Sequence, residues 1–102
     1  MKLRILLLIA FVVFIIYPSP SAEYNGEDID GVDYSATAYS YSTGKYYYVT
    51  VTFDGDKATI TFRSGNAIIL TLDDEEIDDP HSVDAFDYRR GVYWELDVDG
   101  LD

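Results

Sequence analysis

Tyr46-Tyr47-Tyr48-Val49-Thr50-Val51-Thr52-Phe53, then Asp54-Gly55-Asp56-Lys57, then Ala58-Thr59-Ile60-Thr61-Phe62: this stretch decides the fold. β-Branched and aromatic residues dominate it, and they suit a pleated, half-buried surface. Over much of its length polar and apolar side chains alternate, the period of a strand with one face in a core. An Asp-Gly turn between two such runs is a strong hairpin signal. A two-residue loop at Gly55-Asp56 pairs Phe53 with Ala58, Val51 with Ile60 and Val49 with Phe62. The apolar residues then share one face, while Thr52–Thr59 and Thr50–Thr61 share the other.

Working outward, Tyr34 to Tyr41 reads as the preceding strand, with a turn at Thr43-Gly44. That turn sets Tyr41 opposite Tyr46, Tyr39 opposite Tyr48 and Thr37 opposite Thr50. Tyr34, Ala36, Ala38, Tyr47, Val49, Val51 and Phe53 fall on the core side. Downstream, a three-residue loop at Ser64-Gly65-Asn66 pairs Phe62 with Ile68, Ile60 with Leu70 and Ala58 with Leu72. Three successive turns thus agree on one core face, which a single-residue slip would scramble.

The run Asp73 to Asp79 breaks this pattern. Asp73 and Glu76 have capping-box spacing, so one short helical turn is expected near 73–78, ended by Pro80. A last hairpin runs from Val83 to Tyr88, turns at Arg89-Arg90-Gly91, and returns from Val92 to Val98. A three-residue loop there aligns Tyr88 with Val92 and Phe86 with Trp94 on the core side, leaving Glu95 and Asp97 outside. The fold class is all-β: a small antiparallel meander of five to six strands, curled into a barrel or a two-layer sandwich. Closure would also remove the exposed edges that such strand-prone sequences must manage.

The N-terminus has a different character. Met1-Lys2-Leu3-Arg4 is basic, Ile5 to Tyr17 is an unbroken apolar run, and Pro18-Ser19-Pro20-Ser21-Ala22 supplies breakers and small residues. This is the layout of a secretory signal peptide, with cleavage expected after Ser21 or Ala22. The apolar run is shorter than the ~20 residues a spanning helix needs. The chain therefore divides into a leader at 1–22, an acidic and flexible lead-in at 23–33, and one small β-domain at 34–102. The domain is expected in a secreted or periplasmic location.

From Glu23 on there are five basic residues against all 19 acidic ones, a formal charge of −14. Such a domain repels nucleic-acid phosphates and anionic membrane surfaces, so neither is an expected partner once the leader is removed. Cationic proteins remain. The chain has no cysteine, so a dense aromatic core, an ion or a partner subunit must supply what disulfides give other small exported domains.

Two groups of residues stand out as candidate contacts. Tyr39, Tyr41, Tyr46 and Tyr48 form an outward tyrosine block with Arg63 beside it. Tyrosine gives rigid amphipathic contact area, although cross-strand aromatic pairs also stabilise sheets without binding anything. The acidic group is Asp73, Asp74, Glu75, Glu76, Asp78 and Asp79. It could steer a basic partner, hold Ca²⁺, or be a solvated loop. The echo Asp28-Ile29-Asp30-Gly31-Val32-Asp33 and Asp97-Val98-Asp99-Gly100-Leu101-Asp102 does not fit an EF-hand, because neither copy places the twelfth-position Glu. His81 has too few companions for a zinc site. No nucleophile arrangement or phosphate loop is present, and no cofactor is implied. The expected function is an exported, non-enzymatic binding protein, a small acidic inhibitor or accessory factor docking on a cationic protein. The alternatives are a polysaccharide-binding module that uses the tyrosines as a platform, and a structural domain that forms a homo-oligomer.

Overall fold

The computed structural model describes residues 21–101. The expected leader lies, but for Ser21 and Ala22, outside the described residues.

Six antiparallel strands close into a barrel. They are β3 (Asp33–Ser40), β4 (Lys45–Asp54), β5 (Lys57–Phe62), β6 (Ala67–Leu72), β8 (Val83–Asp87) and β9 (Val92–Val98). The ring is completed by β9 pairing back onto β3, with Ala36 opposite Val98 and Ser40 opposite Trp94. Along β4 and β5 the alternation translates directly into burial. Val51, Phe53, Ala58 and Ile60 are fully buried, while Thr50 is exposed and Thr52, Thr59 and Thr61 are partly so. A six-strand barrel has a narrow interior. Ala36, Ala38, Ala58 and Ala85 leave the space that Phe53, Leu70, Trp94 and Leu96 fill.

The β4–β5 hairpin has the expected register: Phe53 opposite Ala58, Val51 opposite Ile60 and Val49 opposite Phe62. Two other hairpins differ by two residues. Tyr39 faces Tyr46 and Thr37 faces Tyr48, because the connection is a four-residue loop closed by Gly44 N–H to Ser40 C=O at 2.8 Å. Ile60 faces Ile68 and Ala58 faces Leu70 around the loop Arg63-Ser64-Gly65. Gly65 there takes the left-handed conformation (φ +92°) that lets a three-residue loop close. A shift of two leaves every side chain on its expected face.

The last hairpin differs by one residue, and that does reverse a strand. Ala85 faces Trp94, Val83 faces Leu96 and Asp87 faces Val92. Phe86 and Tyr88 therefore point outward, against the sequence expectation. The loop is Tyr88-Arg89-Arg90-Gly91, closed by Gly91 N–H to Asp87 C=O at 2.7 Å. Two physical reasons favour this register. Phe86 opposite Trp94 would overpack a narrow barrel, whereas Ala85 fits. The expected register would also put Asp84 in mid-barrel without a donor, whereas Asp87 at the strand end has three.

The expected helical turn near 73–78 is absent. Asp74 Oδ1 instead accepts Glu76 N–H at 3.0 Å, an Asx turn that competes with helix. Glu76–Ile77 then forms β7, which buries Ile77. The helical turn among the described residues is a 3-10 turn at Asp99–Leu101. The lead-in is likewise built into the fold. Its strands β1 (Glu23–Tyr24) and β2 (Glu27–Asp28) form a small sheet of order β2-β1-β7. Ala22, Ile29, Ile77 and Leu101 join the core cluster. The two Asp-rich echoes meet here, since Ile29 and Leu101 line one cleft.

Candidate functional site

Successive loops of an antiparallel barrel alternate between its two ends. The loops after β3, β5 and β8 stand at one end and carry Arg63, Arg89 and Arg90, with Lys45 adjoining. The other end holds the Asp54–Lys57 turn, the acidic run 73–79, Asp99 and the lead-in. The tyrosine surface begins at the arginine end and continues down the barrel wall.

Tyr39 is its centre. Its ring lies 5.0 Å from that of Tyr41, edge-on, and 4.8 Å from that of Tyr46. Tyr48 stands on the same outer face, with the Arg63 guanidinium 5.8 Å from its ring centre. The face is open: Tyr46 and Tyr48 are each 73 % exposed and Tyr41 is 57 % exposed. The two-residue shift turns the expected square block into a bent row. Tyr41 leaves β3 and donates its backbone N–H to Tyr93 C=O at 3.1 Å. Through Tyr93 the row reaches Phe86, at 4.5 Å, and then Tyr88, at 4.6 Å. Exposed rings, linked by the half-buried Tyr39 and Phe86, thus cross four adjoining strands, β4-β3-β9-β8.

Carboxylates border the far part of this row. Tyr41, Tyr93, Asp73 and Asp84 line one shallow cleft. Glu95, opposite Tyr39 in the ladder, is the main reason that the Tyr41 phenol is raised above its ordinary value, with burial and Asp84 contributing less. Of the acidic run, then, only Asp73 is placed beside the tyrosines. Asp74, Glu76, Asp78 and Asp79 line an adjoining cleft that shares Asp73 and Asp84 with the first, and Glu75 accepts Glu23 N–H through its backbone carbonyl at 2.9 Å. Among the described residues no three His, Asp or Glu side chains are grouped so as to hold a metal ion.

The near part of the row surrounds a hollow at the barrel's arginine end, of about 880 Å³. Tyr47, Phe62 and Trp94 form its aromatic wall, with ring centres 5.6 to 6.2 Å apart. Tyr46, Tyr48, Arg63, Asn66 and Arg90 form its rim. Trp94 is 8 % exposed, and its indole N–H has no acceptor among the described residues. Arg90 is held by Asp87, whose Oδ2 accepts from Nη1 at 3.2 Å. His81 Nδ1 lies 2.7 Å from Asp97 Oδ1, on the outward face of β9 beyond Glu95.

The sequence reading missed Phe86, Tyr88, Tyr93, Trp94 and Arg90 as parts of a surface. For Tyr93 the signal was present, because Trp94 inward forces Tyr93 outward. For Phe86 and Tyr88 it lay in the two aspartates of β8, of which only Asp87 could be satisfied inside. Comparison of the chain with protein-family models, curated proteins and solved structures gives no match.

Proposed function

We propose that the chain is an exported, non-enzymatic binding protein that docks on a cationic protein through its tyrosine face. One observation carries this reading: an open row of rings spans four strands and is bordered by Asp73, Asp84 and Glu95. Exposed aromatic surface of this extent costs solubility and is rarely left uncovered without a use. Tyrosine anchors supply contact area at low entropic cost, and the carboxylate border favours a basic partner while excluding acidic ones. The acidic run contributes to the long-range field more than to contact.

The test begins with cross-linking of the exported protein to its neighbours, followed by kinetics with purified components. Tyr41→Ala and Tyr93→Ala should each weaken binding about tenfold or more. The association rate should fall steeply as salt rises, because steering is screened. A rate flat in salt, with both variants binding normally, would remove the proposal.

The hollow favours a second reading, a polysaccharide platform. Its aromatic wall can stack on sugar rings, Arg63 and Arg90 suit acidic sugars, and an oxygen reaching past Tyr47 would satisfy the Trp94 N–H. Pull-down on acidic polysaccharides with Tyr46→Ala and Tyr48→Ala separates the two. Retention by both variants would exclude this use of the hollow.

A further inference from the structure

Ala22 is anchored more firmly than a residue at the edge of a fold needs to be. It is fully buried. Its carbonyl accepts Ile29 N–H at 3.0 Å, and its own N–H lies 2.9 Å from Asp30 Oδ1. Asp30 is itself fixed. The same oxygen accepts Gly55 N–H at 3.0 Å, Asp30 bridges to Phe53, and Gly31 N–H donates to Phe53 C=O at 2.9 Å. A carboxylate held rigidly against the β4–β5 turn thus faces the nitrogen of residue 22. A peptide N–H uses that charge only weakly, whereas an ammonium would use it fully.

The sequence around this nitrogen supplies a second, independent observation. Ser21 precedes it directly and Ser19 stands three positions before it, the small-residue spacing that leader cleavage requires. A cut one residue later would put Pro20 in the second of those places. It would also discard a buried residue together with both of its hydrogen bonds.

We propose that the Ser21–Ala22 bond is the processing site, and that the α-ammonium released at Ala22 pairs with Asp30. The inference rests on reading the basic, apolar and small-residue stretch that ends at Ser21 as a leader. The step is a hydrolysis by a signal peptidase. Water adds to the Ser21 carbonyl carbon, the C–N bond breaks, Ser21 leaves as a carboxylate, and the Ala22 nitrogen ends protonated at neutral pH. Cleavage precedes folding, since burial of Ala22 closes off the bond. Removal of the leader and completion of the barrel floor are thereby coupled: the last contact at the β4–β5 turn reaches full strength only in the processed chain.

The test expresses the full chain with its own leader in a secreting host. Intact mass and N-terminal sequencing of the exported protein should give Ala22 as the first residue. A start at Glu23 or beyond overturns the inference while leaving the leader reading intact. A chain that keeps its first 21 residues overturns both. The pairing is tested on the same exported protein by thermal melts. Selective acetylation of the α-amine should lower Tm by about 5 °C in the native sequence and leave it unchanged in Asp30→Asn. No change on acetylating the native protein overturns the pairing, and that arm decides even where Asp30→Asn fails to fold.

Discussion

Replacing Asp87 tests the register that sets both the aromatic row and the arginine end. Its side chain is 1 % exposed, yet it is fully engaged. Oδ1 accepts the backbone N–H groups of Arg89 and Arg90 at 3.0 and 3.2 Å, and Oδ2 accepts Arg90 Nη1 at 3.2 Å. Hydrogen bonds to a charged group are worth about 1.5–3 kcal/mol net each. The loop N–H groups of Asp87→Ala can turn to water, because Arg89 and Arg90 are exposed, so the three losses do not add. The Arg90 contact contributes at most ~1 kcal/mol, since that side chain is 55 % exposed. Asp87→Ala is therefore expected to cost about 2–3 kcal/mol. Asp87→Asn, which keeps one oxygen for the two N–H groups, should cost about half as much, and Arg90→Ala less than ~1 kcal/mol. Urea unfolding monitored by Trp94 fluorescence measures all three, and a two-state domain of this size would lose roughly 10 °C or more in Tm for the alanine variant. An Asp87→Ala loss below ~0.5 kcal/mol is what a surface carboxylate gives. It would refute the register and, with it, the outward placement of Phe86 and Tyr88.

Other expectations follow from the same geometry. Phe53→Ala, at a fully buried position, should cost about 3–5 kcal/mol, whereas Tyr48→Ala on the open face should stay within ~0.5 kcal/mol in the same urea assay. Gly100→Ala would place its Cβ 2.7 Å from Tyr34 Cδ1, so the ring must move and stability should fall by about 1–3 kcal/mol. An unchanged urea midpoint would contradict that close approach. The Tyr41 phenol, held up chiefly by Glu95, keeps its proton above the ordinary value of 10.0. The folded state then binds that proton more tightly than the unfolded one, so the stability involved is complete below about pH 10 and is lost as pH rises through the folded value. Glu95→Gln should move the phenolate transition of Tyr41 downward in an NMR titration, and an unmoved transition would dismiss Glu95 as the cause.

The β4–β5 hairpin was legible to the residue because a two-residue loop at Gly55-Asp56 puts every apolar residue of both strands on one face. The neighbouring loops were not, since Ser40 and Asn66 can end a strand or enter a turn with equal ease. Their two-residue shifts cost nothing in facing and so left no trace in the hydrophobic pattern. In β8 both parities carry one aspartate inward, and the aromatic pair Phe86 and Tyr88 outweighs Val83 and Ala85 on any hydrophobicity count. Only the donor supply at the strand end decides for Asp87, and a capping carboxylate is hard to see before the loop is drawn. The acidic run misled in a related way. Capping-box spacing in Asp73 and Glu76 is a local signal, and burial of Ile77 beside the lead-in is the tertiary demand that overrode it. The tyrosine face was legible as a face. Its extent was not, because it depends on β9 and β3 becoming neighbours through barrel closure.

A net charge of −14 describes the domain poorly as a binding surface. In an antiparallel barrel the alternation of loops turns sequence order into polarity. Arg63, Arg89 and Arg90 fall together although 27 positions separate the first from the last. The carboxylate nearest to them in the chain is Asp87, buried and already engaged. The arginine end thus offers anions a local site that the overall field opposes from a distance. That opposition is screened within about a Debye length of 8 Å at physiological salt. Along the row from Tyr46 to Tyr93 the local charge changes sign, from the Arg63 border to the Asp84 and Glu95 border. A partner reading the whole row would need the opposite gradient, basic over Tyr41 and acidic over Tyr48. This is a stricter requirement than a uniformly cationic surface, and it makes orientation on the row a consequence of charge as much as of shape.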